Sequence, residues 1–522
     1  TRISAITTRA PCSAKARAHA APMPRAAPVT IAVLPANEIN RRTPDRCEMC
    51  RGCGGIGPTG TRERAKLSTT RVSRQAEARA GARAEARAEG SLVACYVPPP
   101  HVVPMSLPVG FWRAFGPGLM WAAAAIGVSH LVQSTRAGAL AGFGLAGVIL
   151  FALILKYPFF EYGPRYAAAT GRSLVEGYRR IGRWALWLYF VMTLVTAVIH
   201  QVALLLLLAF LIQFTLGASA PPVWVIGGSV YVACALLLTA GRFRGLDLVI
   251  KAVVVVLAVS TLVAAAIAVP RADLSTLSLS PLAMRALPLG FILALVGFMP
   301  APVDMSVMSS LWTLAKDRTV GQRSSVETVV LDFRIGYAGT AFFAFAFLML
   351  GAVVMHGSGE TFSEAGPAFS TQLIELYTTM LGDWTRPVVL VAVLTTVFSS
   401  ALVVIDGFPR VLDRCLPNIR GEEEPGRDRS PGRGYWVMLV AFGVLNLLGL
   451  SLFTQNLTPM IDFATIFSFA TAPVLGYLNL RAVTSDDVPQ DARPGRAMLA
   501  LSYLGLALLG GLTVLYLVSR IT

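Results

Sequence analysis

The 522-residue chain is 55% hydrophobic and only 14% charged, with a mean hydropathy of +0.62; soluble domains carry about 25% charged residues, so an ordinary water-soluble fold is excluded. The net charge of +16 does not mark a nucleic-acid binder. Residues 1–104 hold 17 Lys and Arg against 7 Asp and Glu, and the remaining 28 against 22 are largely in short loops, where positive charge sets membrane topology.

Residues 1–104 are rich in Ala, Arg, Pro, Ser and Thr, with repeats such as ARAGARAEARAEG. No apolar periodicity there lasts long enough to offset the entropy of ordering, so the segment is expected to be disordered. Met105 opens a natural membrane-protein start, MSLPVGFWRAFGPG, which makes 1–104 an expected extension of upstream translated sequence. Five of the seven cysteines lie in this extension, and Cys47-x2-Cys50-x2-Cys53 lacks a fourth ligand at metal-site spacing. Cys234 and Cys415 are isolated, so no disulfide framework is expected.

Beyond Phe111 the apolar runs predict eleven membrane segments, at 116–140, 142–164, 184–215, 222–240, 248–270, 287–312, 334–356, 385–407, 434–455, 461–482 and 497–518. The loops after the even-numbered segments are basic, for example Arg165, Arg172, Arg179 and Arg180, or Lys316, Arg318 and Arg323. The alternate loops, such as TLGASAPP and TQNLTPM, are poor in Lys and Arg, and the 357–384 loop is acidic. The expected arrangement is a multi-pass protein of a cell membrane, of the bacterial inner-membrane type, with a cytoplasmic N-terminus and an outward C-terminus.

Two segments carry polar or helix-breaking residues where a plain anchor would carry leucine. The first reads Gly127-Val128-Ser129-His130 at its centre, and the sixth contains Pro300 and Pro302, followed by Asp304 and Ser306. Proline removes a backbone donor and breaks the helical ladder. Breaks in the first and sixth spans match carriers built from two inverted five-helix repeats, whose discontinuous helices meet at a midplane site. The repeats are expected at about 112–270 and 285–482, with an extra helix at about 497–518.

These residues resemble the NRAMP family of divalent-metal transporters, within the amino acid–polyamine–cation superfamily. The resemblance rests on Gly116-Pro117-Gly118, on Ala139-x2-Gly142, and on Ala169-Thr170-Gly171-Arg172-Ser173-Leu174-Val175-Glu176 against the family's V-T-G-R-D-L-A-E loop. It extends to Met299-Pro300 against M-P-H, to Leu331-Asp332 against I-D, and to the pair Ser399-Ser400. The implied fold is all-α, of the leucine-transporter type, and the implied activity is secondary transport of a metal ion. The family's metal-binding D-P-G-N falls on Gly127 to His130, its M-P-H histidine on Ala301 and a later histidine on Ser306. Its acidic pair for proton movement falls near His200-Gln201 and Leu204.

His130, Met299 and Asp304 are the candidate metal ligands: a borderline-soft nitrogen, a soft sulfur and a replacement carboxylate. Gly127 and Ser129 complete the expected substrate site, and Gly127, Val128, Pro300 and Pro302 form the helix breaks. Each candidate has a structural alternative. His130 would satisfy carbonyls freed by the break, Met299 would be packing, and Asp304 would complement a half-helix dipole. His130, His200 and Gln201 are candidates for a coupling proton; for the last two the alternative is an interhelical hydrogen bond. Lys156 and Glu161 are read as lying toward the cytoplasmic end of their helix, where they snorkel or pair; Asp332, Arg334, Asp406 and Arg410 are read as gate or topology charges. Arg136, six residues past His130, has no partner evident in the sequence.

The expected function is inward secondary transport of a divalent cation, with the lipid bilayer, the metal and a possible coupling proton as partners and with no cofactor. The same fold carrying an amino acid, another small solute or an anion stays open, as does a membrane sensor without transport. No nucleophile–base pair and no phosphate loop suggests an enzyme.

Overall fold

The proline-rich break at 299–304 and the glycine–serine break at 126–129 divide the two polar spans into half-helices, and the other helices pack around them. The structure, a computed structural model, describes residues 116–521 apart from 128, 240–255, 257, 280–286, 359–361, 422–431 and 454–456. The extension 1–104 with its cysteine cluster, Val128 and the first half of the fifth predicted span lie outside the described residues.

The described chain is helical throughout. Span one is α1 (Pro117–Ala125), a π-helical stretch at Ser129–Ser134 and α2 (Thr135–Ala141). There follow α3 (Ala146–Thr170), the short α4 (Leu174–Ile181), α5 (Arg183–Leu216), α6 (Val223–Thr239) and α7 (Ala258–Arg271). Span six is α8 (Leu289–Phe298) and α9 (Met305–Val320). Then come α10 (Val326–Val354), α11 (Gly366–Leu381), α12 (Arg386–Arg420), α13 (Arg433–Leu452), α14 (Leu457–Val483) and α15 (Arg496–Ile521). Seven of these helices are long and apolar enough to cross a bilayer unaided, and α6, α7 and α8 are shorter apolar helices.

Three differences from the predicted elements have physical causes. The acidic outer loop expected at 357–384 contains α11, because Phe369, Leu373, Ile374 and Tyr377 bury one face of an amphipathic helix. Helix α12 runs to Arg420, well past the predicted end at 407, because its polar end packs on protein beyond the apolar stretch. Helix α3 begins at Ala146 and runs to Thr170, where Gly171 at φ +71° terminates it in the left-handed region. That extension puts Lys156 near the middle of its helix, correcting the reading toward the cytoplasmic end.

Small residues let backbones touch. A Cβ at Gly138 would collide with the Leu348 carbonyl, and one at Gly351 with the Thr135 carbonyl, so α2 and α10 cross at backbone contact. Gly118 and Gly336 make the same close approach between α1 and α10. Both halves of span one therefore lean on α10. In span six, α8 packs on α14 through Gly297 against the Thr465 carbonyl, and α9 packs on α3 through Gly163 against the Ser306 carbonyl. Close packing of this kind drives helix association where apolar burial cannot.

Candidate functional site

The break in span one leaves the Ala125 carbonyl without a backbone donor from the next turn, and His130 turns back toward it. Its Nδ1 lies 3.0 Å from the Ala125 carbonyl and 2.7 Å from Ser129 Oγ, and its Nε2 lies 2.9 Å from the Thr340 carbonyl of α10. Ser129 Oγ also donates to Ala125 at 2.6 Å. The imidazole is fully buried, and in this conformation both nitrogens face protein acceptors.

Span six is capped by a different residue. Pro300 has no N–H, so the Val296 carbonyl four residues earlier has no helical donor, and the helix ends before the carbonyl of Gly297 finds one. Lys156 reaches in from α3 and supplies them. Its Nζ donates to the carbonyls of Gly297 (2.7 Å), Ala301 (2.8 Å) and Val296 (3.1 Å), using all three protons of an ammonium. The side chain is 0% exposed, with the ammonium 5.6 Å from the Phe160 ring centroid. Asp304, 3% exposed at the N-cap of α9, has no side-chain hydrogen-bond partner among the described residues. Lys156 acts on it electrostatically.

Between the two breaks lies a cavity of ≈ 40 Å³, room for an ion with a few water molecules. Span one contributes Ala124, Ala125, Gly127 and Ser129, and span six contributes Phe298, Ala301, Pro302 and Met305. The remaining wall comes from α5, through His200, Ala203 and Leu204, and from Val404 of α12. His200 stacks on Phe298 with ring centroids 4.5 Å apart, and its buried Nδ1 makes no hydrogen bond among the described residues. No carboxylate lines the cavity, and no three His, Cys, Asp or Glu side chains converge among the described residues.

The structure thus brings Gly127, Ser129 and Pro302 to one cavity, and adds His200 and Met305. It does not bring His130, Met299 or Asp304 to the cavity wall. Met299 is buried, with its N–H donating to Leu295. Gln201 points elsewhere: it accepts from Asn446 Nδ2 at 2.6 Å and donates to the Val404 carbonyl at 3.4 Å. That is the interhelical alternative foreseen for it.

Ion pairs flank the site on two sides. Arg136 of α2 forms a two-pronged pair with Asp462 of α14, at 2.6 and 3.3 Å, and Gln133 donates to the same carboxylate at 3.2 Å. On the side of the α1 N-terminus, Asp332 accepts from the N–H groups of Gly118 (2.7 Å) and Gly116 (3.4 Å), capping α1. Glu161, fully buried, pairs with Arg165 at 2.6 Å and Arg334 at 3.2 Å and accepts from Tyr157. Ser173 and Glu176 form a capping box on α4, and Glu176 also pairs with Arg414 of α12. Arg410 pairs with Asp406 within α12.

Sequence reasoning did not find the partner of Arg136, the role of Lys156, or Asn479. Asn479 donates to the Phe159 carbonyl (2.9 Å) and Ser306 Oγ (2.8 Å) and accepts from Tyr178, tying α14 to α3, α9 and α4. The usable signal was the cost of an unpaired charge in a membrane helix: Arg136 requires an acid and Lys156 requires acceptors.

The chain matches the Nramp family, described as natural resistance-associated macrophage protein-like, over residues 118–519. An uncharacterised protein of Pasteurella multocida is 35% identical over 416 residues, covering 78% of this chain and 93% of that one. The manganese transporter of Eremococcus coleocola, in complex with an aromatic bis-isothiourea compound, superposes with a TM-score of 0.60 at 14% identity, covering 80% of this chain and 89% of the other. MhsT in complex with L-phenylalanine superposes with a TM-score of 0.52 at 13% identity, covering 80% and 99%. These two structures share the leucine-transporter fold. The chain belongs to the Nramp family of multi-pass membrane transporters of metal ions, and is not an enzyme.

Proposed function

We propose that the chain is a secondary carrier for a divalent transition-metal ion, working by alternating access in a cell membrane of the bacterial inner type. Its N-terminus is cytoplasmic and its C-terminus outside. The observation that supports this most is the cavity between the two helix breaks, small enough for an ion and lined by an imidazole, a hydroxyl and the thioether residue Met305. These are neutral donors. They suit Mn, Fe, Co, Ni or Zn better than Ca or Mg, which need oxygen-rich, usually anionic sites.

In this reading His200, Ser129 and Met305 contact the cargo, with Gly127 leaving space beside them. His130, Met299 and Asp304 stand behind the cavity wall: His130 positions the span-one break, and Asp304 offsets Lys156. The Arg136–Asp462 pair closes the outer side, and the Asp332 cap with the Glu161 and Glu176 ion pairs closes the inner side. His200, the one imidazole facing the cavity, is the candidate for a coupled proton.

Uptake by proteoliposomes tests this. Wild-type protein takes up Mn, Fe or another transition ion in preference to Ca and Mg. His200→Ala loses at least about tenfold, the lower end of what loss of even a group supporting a metal ligand costs. His130→Gln, which keeps a donor for the break, retains the wild-type metal preference. Wild-type-like uptake by His200→Ala contradicts the site. The neutral lining also favours a second reading, a small uncharged solute, which metal-independent counterflow with a neutral amino-acid panel would support.

A further inference from the structure

The carbonyls of Val296, Gly297 and Ala301 form a cation site, and Lys156 fills it. We infer that the Lys156 ammonium is a tethered, permanent occupant of a monovalent-cation site at the span-six break, so that the carrier needs no sodium or potassium ion there. The inference does not depend on which cargo the neighbouring cavity takes.

Three observations carry it. First, the acceptors are ones that a cation, rather than the helix, must satisfy. Pro300 removes the donor that would meet Val296, and helix α8 ends at Phe298. Carbonyls at the ends of broken helices are ligands for coupling ions in carriers of this architecture. Second, the occupant uses all three of its protons on this cluster, at 2.7, 2.8 and 3.1 Å, and is fully buried. A lysine that merely snorkelled would reach a water interface. Third, the charge at the break balances at one. Asp304 is buried with no side-chain hydrogen-bond partner among the described residues, and Lys156 is the positive charge acting on it. One carboxylate and three neutral carbonyls call for a single positive charge, which selects a monovalent occupant over a divalent one.

Removing the tether while leaving the acceptors converts a built-in cation into a requirement for a free one. The test is the thermal stability of the purified full-length protein at constant ionic strength, with sodium or potassium chloride replacing N-methyl-D-glucamine chloride. Wild type and Lys156→Arg unfold at a temperature independent of the exchange. Lys156→Met gains a saturable rise of about 3 °C or more as sodium or potassium increases, as linkage requires for an ion that binds only the folded state. Lys156→Met/Asp304→Asn, with the carboxylate neutralised as well, loses most of that rise.

The inference is overturned if folded Lys156→Met is insensitive to both ions, or if wild type is itself saturably stabilised by either. Where Lys156→Met gives no folded protein, Lys156→Ala purified with and without n-propylammonium chloride takes its place. That amine supplies the missing chain and charge: recovery of folded protein supports the inference, and its absence overturns it.

Discussion

His130 and Lys156 do the same work at the two breaks by different chemistry. Each is a buried nitrogen base turned onto backbone carbonyls, Lys156 onto three at the span-six break and His130 onto Ala125 at the span-one break and Thr340 within the continuous α10, and an unsatisfied buried carbonyl costs about 1–3 kcal/mol. His130→Ala is therefore expected to destabilise the protein by about 2 kcal/mol in reversible unfolding, while His130→Gln recovers about half of that loss. An equal loss in both variants would mean that the ring fills space rather than supplying donors. His130 was legible as a residue that belongs at the break, but which way its ring turns was not. The carbonyl of Thr340, 210 residues further on, decides that, and sequence spacing holds no trace of it. Asp462 was hidden for a related reason. It lies beyond the first turn of α14, whereas the predicted span began one residue before it, at the membrane edge where a charge calls for no partner. The Arg136–Asp462 pair is expected to show a coupling of about 1 kcal/mol in a double-mutant cycle with alanine at both positions. Additive effects would show that the two side chains act independently.

At the scale of helices, the breaks are held by what each half leans on. Both halves of span one press on α10 through glycines, whereas α8 rests on α14 and α9 on α3. Span six therefore has its two halves on different supports. At the crossing of α2 and α10, Gly138 and Gly351 face backbone from opposite sides, as Gly118 and Gly336 do at the crossing of α1 and α10. Gly351→Leu is expected to cost about 3 kcal/mol or more, since overpacking at backbone contact leaves no flexible side chain to yield. Gly339→Leu, on the same helix with open space around the Cβ position, is the control and is expected to be near neutral. Comparable losses at both positions would remove the contact argument. Ten of the eleven predicted spans have helical counterparts along the described chain, and the described part of the fifth is helical too. Long apolar runs register directly in the sequence. Helices α4 and α11 were missed because they are short, and their stability comes from docking rather than from a membrane-length apolar run.

For the whole molecule, the two breaks meeting at one cavity follow from the sequence order of the broken spans, and the cavity's chemistry does not. The position of the breaks is written in Gly127, Pro300 and Pro302. The identity of the lining depends on which face of α5 turns inward, and that face carries His200 and Leu204, with Gln201 directed to Asn446. A cargo site in this cavity would be made of neutral donors, where the family resemblance places an Asp and an Asn across Gly127 to His130. The central claim is that this cavity holds the cargo. Anomalous scattering at the manganese edge, from crystals of the full chain grown with Mn²⁺, tests it most directly. The account predicts a peak between Ser129 and His200, lost in His200→Ala, and a peak elsewhere or none at all would contradict it.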